Sequence, residues 1–321
     1  MKNKNSKKNK IGLIGMENSK VNFLKKKYKN SIFYSLNREN IEKFYDLNSI
    51  IVFTESGFSD WIDNFFYKKK YKLYKNLSWF HLSRAGLDDY ANETKKINFL
   101  LTCGKIIQGP NVSEQCIAIL LYLSRRLNHI NNIKALLKNR PIELYKKNAL
   151  VFGFGGIGTQ IVKKLIAFGM NVSVAERKFI SSDFDIKNFY INKKIEKIIN
   201  QYDVVICAAS LNERTKYFFN KKIFSKMKKN SIFINVSRGQ CVNTKDLAFY
   251  LKKDKFLGVG LDVIDPEPLP KNHPIRKFPK FYYTNHTAGW SDTLERRFNL
   301  IIDNIYRFEK KKPLLNIYDS Y

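Results

Sequence analysis

The segment Gly153-Phe154-Gly155-Gly156-Ile157-Gly158 follows an apolar run, Ala149 to Phe152, and precedes a stretch with Ile157, Ile161, Leu165 and Phe168 at helical spacing. A GxGxxG pattern constrains a fold only in such a strand–turn–helix setting, where the spacing has a mechanical meaning. Gly153 permits the tight turn, Gly155 lets a pyrophosphate approach the backbone, and Gly158 lets the helix pack closely on the sheet. The N–H groups of the first helical turn, at Gly156 and Ile157, would face the phosphates, helped by the helix dipole. Gly169 is the expected C-cap.

The surrounding pattern alternates short apolar runs with helix-like segments. Residues 11–14, 31–34, 49–53, 78–82 and 98–102 read as strands of a parallel, flavodoxin-like sheet. Residues 149–152, 172–175, 204–207, 232–236, 258–261 and 281–284 form a second series of six, matching a doubly wound dinucleotide fold. The expectation is an α/β chain of two Rossmann-like domains. Residues 106–290 would form the NAD-binding domain, inserted in a flavodoxin-like substrate (lid) domain of residues 1–105 plus 291–321. Val112 to Leu127 is apolar nearly all round, which marks a deeply buried helix or one at a subunit interface, with Asn111 or Ser113 as its cap. Pro141 should break the chain, and a helix over 292–308 should return to the first domain.

The formal charge of +30 invites a nucleic-acid reading, but the basic residues are 46 Lys against 12 Arg, spread along all 321 residues. Arg is the residue that reads phosphate and base edges bidentately. Lys, Asn, Ile, Tyr and Phe are over-used together, which points to an A/T-rich genome and away from a specific nucleic-acid partner. No apolar run approaches the roughly 18 residues of a membrane span. The stretch Ile11–Met16 after the basic start is too short for a signal-peptide core. Four scattered cysteines form no CxxC pair, which argues against a zinc site or disulfides and for a cytoplasmic setting.

Glu176 stands at a strand end 18 residues after Gly158, placed to bond the ribose hydroxyls of NAD and to repel a 2′-phosphate. Arg177 and Lys178 follow at once, so NADP stays open. Arg238, Glu267 and His286 fall just beyond the carboxyl ends of three strands, the edge where doubly wound sheets bind ligands. A cation, a carboxylate and an imidazole there are the groups that reduction of a 2-oxo acid needs.

These motifs resemble the D-isomer-specific 2-hydroxyacid dehydrogenase family. The likeness extends to Arg84-Ala85-Gly86-Leu87-Asp88, Val112-Ser113-Glu114, Leu261-Asp262-Val263, Glu267-Pro268-Leu269, His286-Thr287-Ala288-Gly289 and Leu315-Asn316-Ile317-Tyr318-Asp319. The resemblance implies that Arg238 grips the substrate carboxylate and polarises its carbonyl. It implies that His286 is general acid and base, and that Glu267 orients it. Arg84, Ala85 and Gly86 would offer a substrate loop. Ser210, Val236, Ser237, Asp262, His286 and Gly289 would complete the cofactor contacts, with Asp262 at the nicotinamide carboxamide. A homodimer is implied as well.

Ser210-Leu211 replaces a common Pro-Leu, and Asn285 replaces a common proline before the histidine. Formate dehydrogenases of the superfamily pair the histidine with glutamine, so Glu267 argues against that activity. Trp290, Phe53 and Glu55 are open as selectivity residues. The rival reading is a non-catalytic, NAD(H)-sensing protein on the same fold, similar to the related corepressors.

Overall fold

The computed structural model describes residues 8–52, 59–84, 86–87, 90–138, 140–191 and 195–318. Phe53, Glu55, Ala85, Asp88 and Asp319 lie outside the described residues. The chain divides into two compact units, Met1–Ile107 with Asp292–Tyr321, and Gln108–Ser291.

The first unit runs β1 (Asn9–Ile14), α1 (Asn18–Lys27), β2 (Ser31–Leu36), β3 (Ser49–Val52), α2 (Ser59–Tyr67), β4 (Trp79–Leu82), α3 (Ala91–Thr94) and β5 (Leu100–Cys103). Its five strands are all parallel, in the order β2-β1-β3-β4-β5, the flavodoxin-like arrangement.

The second unit opens with α4 (Gly109–Ser124) and α5 (Ile133–Lys138). It continues through β6 (Asn148–Phe152), α6 (Gly156–Ala167), β7 (Asn171–Glu176), β8 (Asn188–Ile191), α7 (Ile195–Ile198) and β9 (Val204–Cys207). Then come α8 (Lys221–Lys226), β10 (Ser231–Asn235), α9 (Thr244–Lys252), β11 (Phe256–Leu261) and β12 (Phe281–Tyr283). The sheet is parallel with order β12-β11-β10-β9-β6-β7-β8, so the strand order reverses between β6 and β9. Alternate residues of the central strands enter opposite cores: Leu150, Phe152, Val205 and Phe233 one, Ala149, Val151, Ile206 and Ile234 the other. That two-sided burial is why these strands read as unbroken apolar runs.

The sheet has seven strands where six were expected. The addition, β8, is an edge strand of four residues after a polar stretch, and so short a run carries little period-2 signal. The capping of α4 also differs. Pro110 sits in its first turn and no side chain caps it; Asn111 and Ser113 lie inside the helix. Its apolar residues are consumed within the unit, against α6, β10 and β11, so its composition demands no second subunit. Pro141 lies inside the second unit. The returning helix α10 (Leu294–Glu309) buries Ile301 and Ile305 in the core that holds Ile11, Leu13 and Trp79 of the first unit. Among the described residues no helix is long and apolar enough to cross a membrane.

His81 on β4 is fully buried, with Nδ1 2.8 Å from the Thr102 hydroxyl and Nε2 without a partner among the described residues. Burial pushes its pKa from 6.5 down to about 3. A lowered imidazole pKa makes the unfolded chain bind the proton first, so stability is intact above pH 6.5 and falls as pH drops toward 3. The slope from this one group approaches about 1.4 kcal/mol per pH unit. His81→Leu should therefore flatten the acid side of a stability–pH curve measured by urea unfolding; equal slopes would show that His81 does not titrate on unfolding.

Candidate active site

The fingerprint closes the turn from β6 into α6. Gly153 has φ +101°, a left-handed conformation that disfavours any side chain. A methyl group at 158 would sit 2.0 Å from the Gly153 carbonyl oxygen, so only glycine lets the helix start this close to the strand. Gly155 is the N-cap of α6, and a methyl group there would meet nothing within 4 Å. No side chain among the described residues caps the helix, which fits a pyrophosphate bound at the first-turn N–H groups of Gly156 and Ile157. Ile161 and Leu165 are buried as expected and Gly169 closes the helix with φ +70°, but Phe168 is 39% exposed.

Glu176, at the end of β7, turns its carboxylate back onto this loop. Oε2 accepts from the Phe154 N–H at 2.8 Å and Oε1 from the Arg177 N–H at 2.7 Å. Both oxygens keep further lone pairs for a ribose hydroxyl. Arg177 is exposed. Ser210, beyond β9, is exposed, and its carbonyl accepts from the Thr215 hydroxyl at 2.8 Å.

Arg238 follows β10, and the turn that carries it is built by Asn235, which is fully buried. Asn235 Oδ1 accepts from the Ser237 N–H (3.1 Å) and hydroxyl (2.7 Å), while its amide donates to the Arg238 carbonyl at 2.9 Å. Val236 and Ser237 are thereby buried beneath the turn. The Arg238 guanidinium donates to the Ser237 carbonyl at 2.8 Å. Beneath lie Cys207, 3.2 Å from the Ser237 hydroxyl, and Cys241, both buried free thiols. Burial pushes the Cys207 thiol up, while the hydrogen bond from Cys207 leads in pulling Cys241 down.

The loop bearing Glu267 is fastened beside this turn: the Thr244 hydroxyl donates to the Asp265 carbonyl at 2.6 Å, and the Tyr217 hydroxyl to the Asp265 carboxylate at 2.8 Å. Glu267 Oε1 then lies 2.5 Å from His286 Nδ1.

His286 has φ +58° and Asn285 φ +59°, two consecutive left-handed residues that need outside support. A proline cannot adopt φ +59°, so the departure at Asn285 and this local geometry go together. The support is Asp262, 2% exposed at the end of β11. Its carbonyl accepts from the His286 N–H at 2.6 Å. Its carboxylate accepts from the Thr284 hydroxyl (2.5 Å) and from the N–H groups of Thr287 (3.1 Å) and Ala288 (3.2 Å). Burial raises the Asp262 pKa, opposed by those donors. Asp262 thus holds the histidine turn through both its carbonyl and its carboxylate. Asn111 adds a second tie, donating to the Ala288 carbonyl at 3.0 Å, and Gly289 follows half-buried.

Arg238, Glu267, His286, Asp262, Ser237 and Gly289 thus fall at the carboxyl ends of neighbouring strands, on the sheet edge that also carries Gly153–Gly158. Arg84 and Gly86 belong to the first unit, after β4, where Arg84 packs over the Tyr90 ring at 5.7 Å. The sequence pattern gives no role to Asn235 or Thr284, and offers Asn111 only as a helix cap. Asn235 carries a signal, since an Asn at a strand end favours a turn closed by its side chain onto the backbone two residues on.

Residues 117–288 match the family profile described as D-isomer specific 2-hydroxyacid dehydrogenase, NAD binding domain. The chain is 30% identical over 242 residues to the glyoxylate reductase/hydroxypyruvate reductase of Homo sapiens, covering 71% of this chain and 73% of that protein. It is 27% identical over 257 residues to the formate dehydrogenase of Candida boidinii, covering 72% and 68%. The fold resembles the solved structure of a D-isomer specific 2-hydroxyacid dehydrogenase family protein from Aeromonas salmonicida, with TM-score 0.76, 24% identity and coverage of 98% of this chain and 100% of that one. With a dinucleotide-binding unit matched over more than half its length, the chain belongs to the D-isomer specific 2-hydroxyacid dehydrogenase family.

Proposed function

We propose that the chain interconverts 2-oxo acids and D-2-hydroxy acids, running with a nicotinamide cofactor bound along Gly153–Gly158 and Glu176. The observation that carries this reading is the His286–Glu267 pair, 2.5 Å apart on the same sheet edge as the Arg238 turn. When bound, the reduced cofactor supplies the hydride that adds to C2 of the oxo acid. Arg238 binds the substrate carboxylate through its planar fork and polarises the carbonyl with a permanent charge. Glu267 accepts from Nδ1–H, which leaves Nε2 to deliver its proton to the carbonyl oxygen as the C–O π bond breaks. The carboxylate stabilises the imidazolium that makes this transfer. In the oxidative direction the neutral ring takes the hydroxyl proton back.

NAD is the proposed cofactor, because a 2′-phosphate would meet the Glu176 carboxylate, with NADP accommodated only if Arg177 swings to it. A solved relative in fold from Rhizobium etli, 19% identical, is described in complex with NADP, which keeps that nucleotide in the test. Glyoxylate and hydroxypyruvate are the first substrates to try, as named for the human relative.

The test compares pyruvate with pyruvamide, which lacks the carboxylate charge. Wild type should reduce pyruvate about 10- to 100-fold more efficiently, the size of a lost charge-assisted contact. Arg238→Leu should erase most of that preference while still binding NADH. Equal rates on acid and amide would remove Arg238 from its role.

A further inference from the structure

We propose that Trp290 reads the side chain of the 2-oxo acid, and that the enzyme favours oxo acids carrying an apolar or aromatic group over glyoxylate. This inference rests on the reductase reading above and names the substrate class of that same site. Trp290 is 81% exposed in the whole chain, more than any other large hydrophobic side chain among the described residues. Among those residues its indole makes no ring–ring or cation–ring contact, although the other two tryptophans, Trp61 and Trp79, both pack against aromatic neighbours. An indole this exposed leaves a large apolar face open to a partner.

Its position says which partner. The Trp290 N–H donates to the Thr287 carbonyl at 2.9 Å, closing a four-residue turn directly after His286. The ends of such a turn lie within about 7 Å. The residues that lead into Trp290 are pinned: Thr287 and Ala288 by the Asp262 carboxylate, and Ala288 again by Asn111. A rigid mount therefore presents the indole one turn from the imidazole that protonates the substrate oxygen. The substrate side chain is bonded directly to the reacting carbon, C2, so it lies within reach of the same turn. Arg238 and Glu267 take the charged and proton-transfer roles, which leaves the indole to contact the part of the substrate that carries no charge.

The experiment measures kcat/KM with NADH for phenylpyruvate and glyoxylate in wild type, Trp290→Ala and Trp290→Phe. Trp290→Ala should lower the phenylpyruvate/glyoxylate ratio by about 10- to 100-fold, mostly through KM for phenylpyruvate, and Trp290→Phe should restore most of it. A ratio unchanged within about twofold overturns the inference while leaving the reductase reading intact. The same holds if Trp290→Ala changes only the oligomeric mass, which would make the indole a subunit contact. Failure of wild type to reduce any oxo acid while it still binds NADH overturns both.

Discussion

Replacing His286 with asparagine should cut kcat/KM for a 2-oxo acid by about 10²- to 10⁴-fold, the range for loss of a positioned general acid, with NADH affinity nearly unchanged. Asparagine is the informative choice because it tolerates the left-handed backbone that residue 286 adopts. The turn can then keep its N–H to the Asp262 carbonyl and its neighbours' bonds to the Asp262 carboxylate. What disappears is the ring that Glu267 orients and the proton on its far nitrogen. Stopped-flow reduction together with NADH fluorescence titration separates the two effects. A variant that turns over within a fewfold of wild type would mean that another group supplies the proton.

The second large effect lies at the other end of the site. Gly158→Ala places a methyl group 2.0 Å from the Gly153 oxygen and 2.9 Å from its carbonyl carbon, backbone atoms that cannot rotate aside. The start of α6 must move away from β6, which spoils both the strand–helix packing and the N–H cradle. Overpacking of this kind costs about 3 kcal/mol or more, and at roughly 2–4 °C per kcal/mol for a unit this size Tm should fall by about 6 °C or more. NADH affinity should fall with it, by about 10-fold at least. Gly155→Ala is the matched control, because nothing lies within 4 Å of the added methyl. It should leave Tm nearly unchanged yet weaken NADH, since the methyl occupies the approach of the phosphates. If Gly158→Ala melts like wild type, the close contact drawn here between α6 and β6 is wrong.

Much of this was legible in the sequence because it depends on local rules. The central strands of the second unit announce themselves because both faces are buried, and the fingerprint because its glycines answer local steric demands. Arg238, Glu267 and His286 could be found because a cation, a carboxylate and an imidazole at successive strand ends are uncommon together. The supports were hidden because they depend on tertiary neighbours. Asp262 holds Thr284, Thr287 and Ala288, residues more than twenty positions away, and Asn111 reaches Ala288 across 177 positions. Asn111 and Ser113 look like caps because such side chains readily bond nearby backbone, yet inside α4 Ser113 donates to the Pro110 carbonyl while Asn111 reaches Ala288. Edge strand β8 was missed because one short, half-exposed run gives no periodicity.

The most direct measurement is a single turnover of pyruvate or phenylpyruvate with NADH deuterated at the transferable position, analysing the product for label and chirality. The expected product is the D-2-hydroxy acid with deuterium on C2, formed by wild type and lost in His286→Asn. Tight NADH binding without any turnover, or a labelled L product, would contradict the assignment of Arg238, Glu267 and His286 to this chemistry.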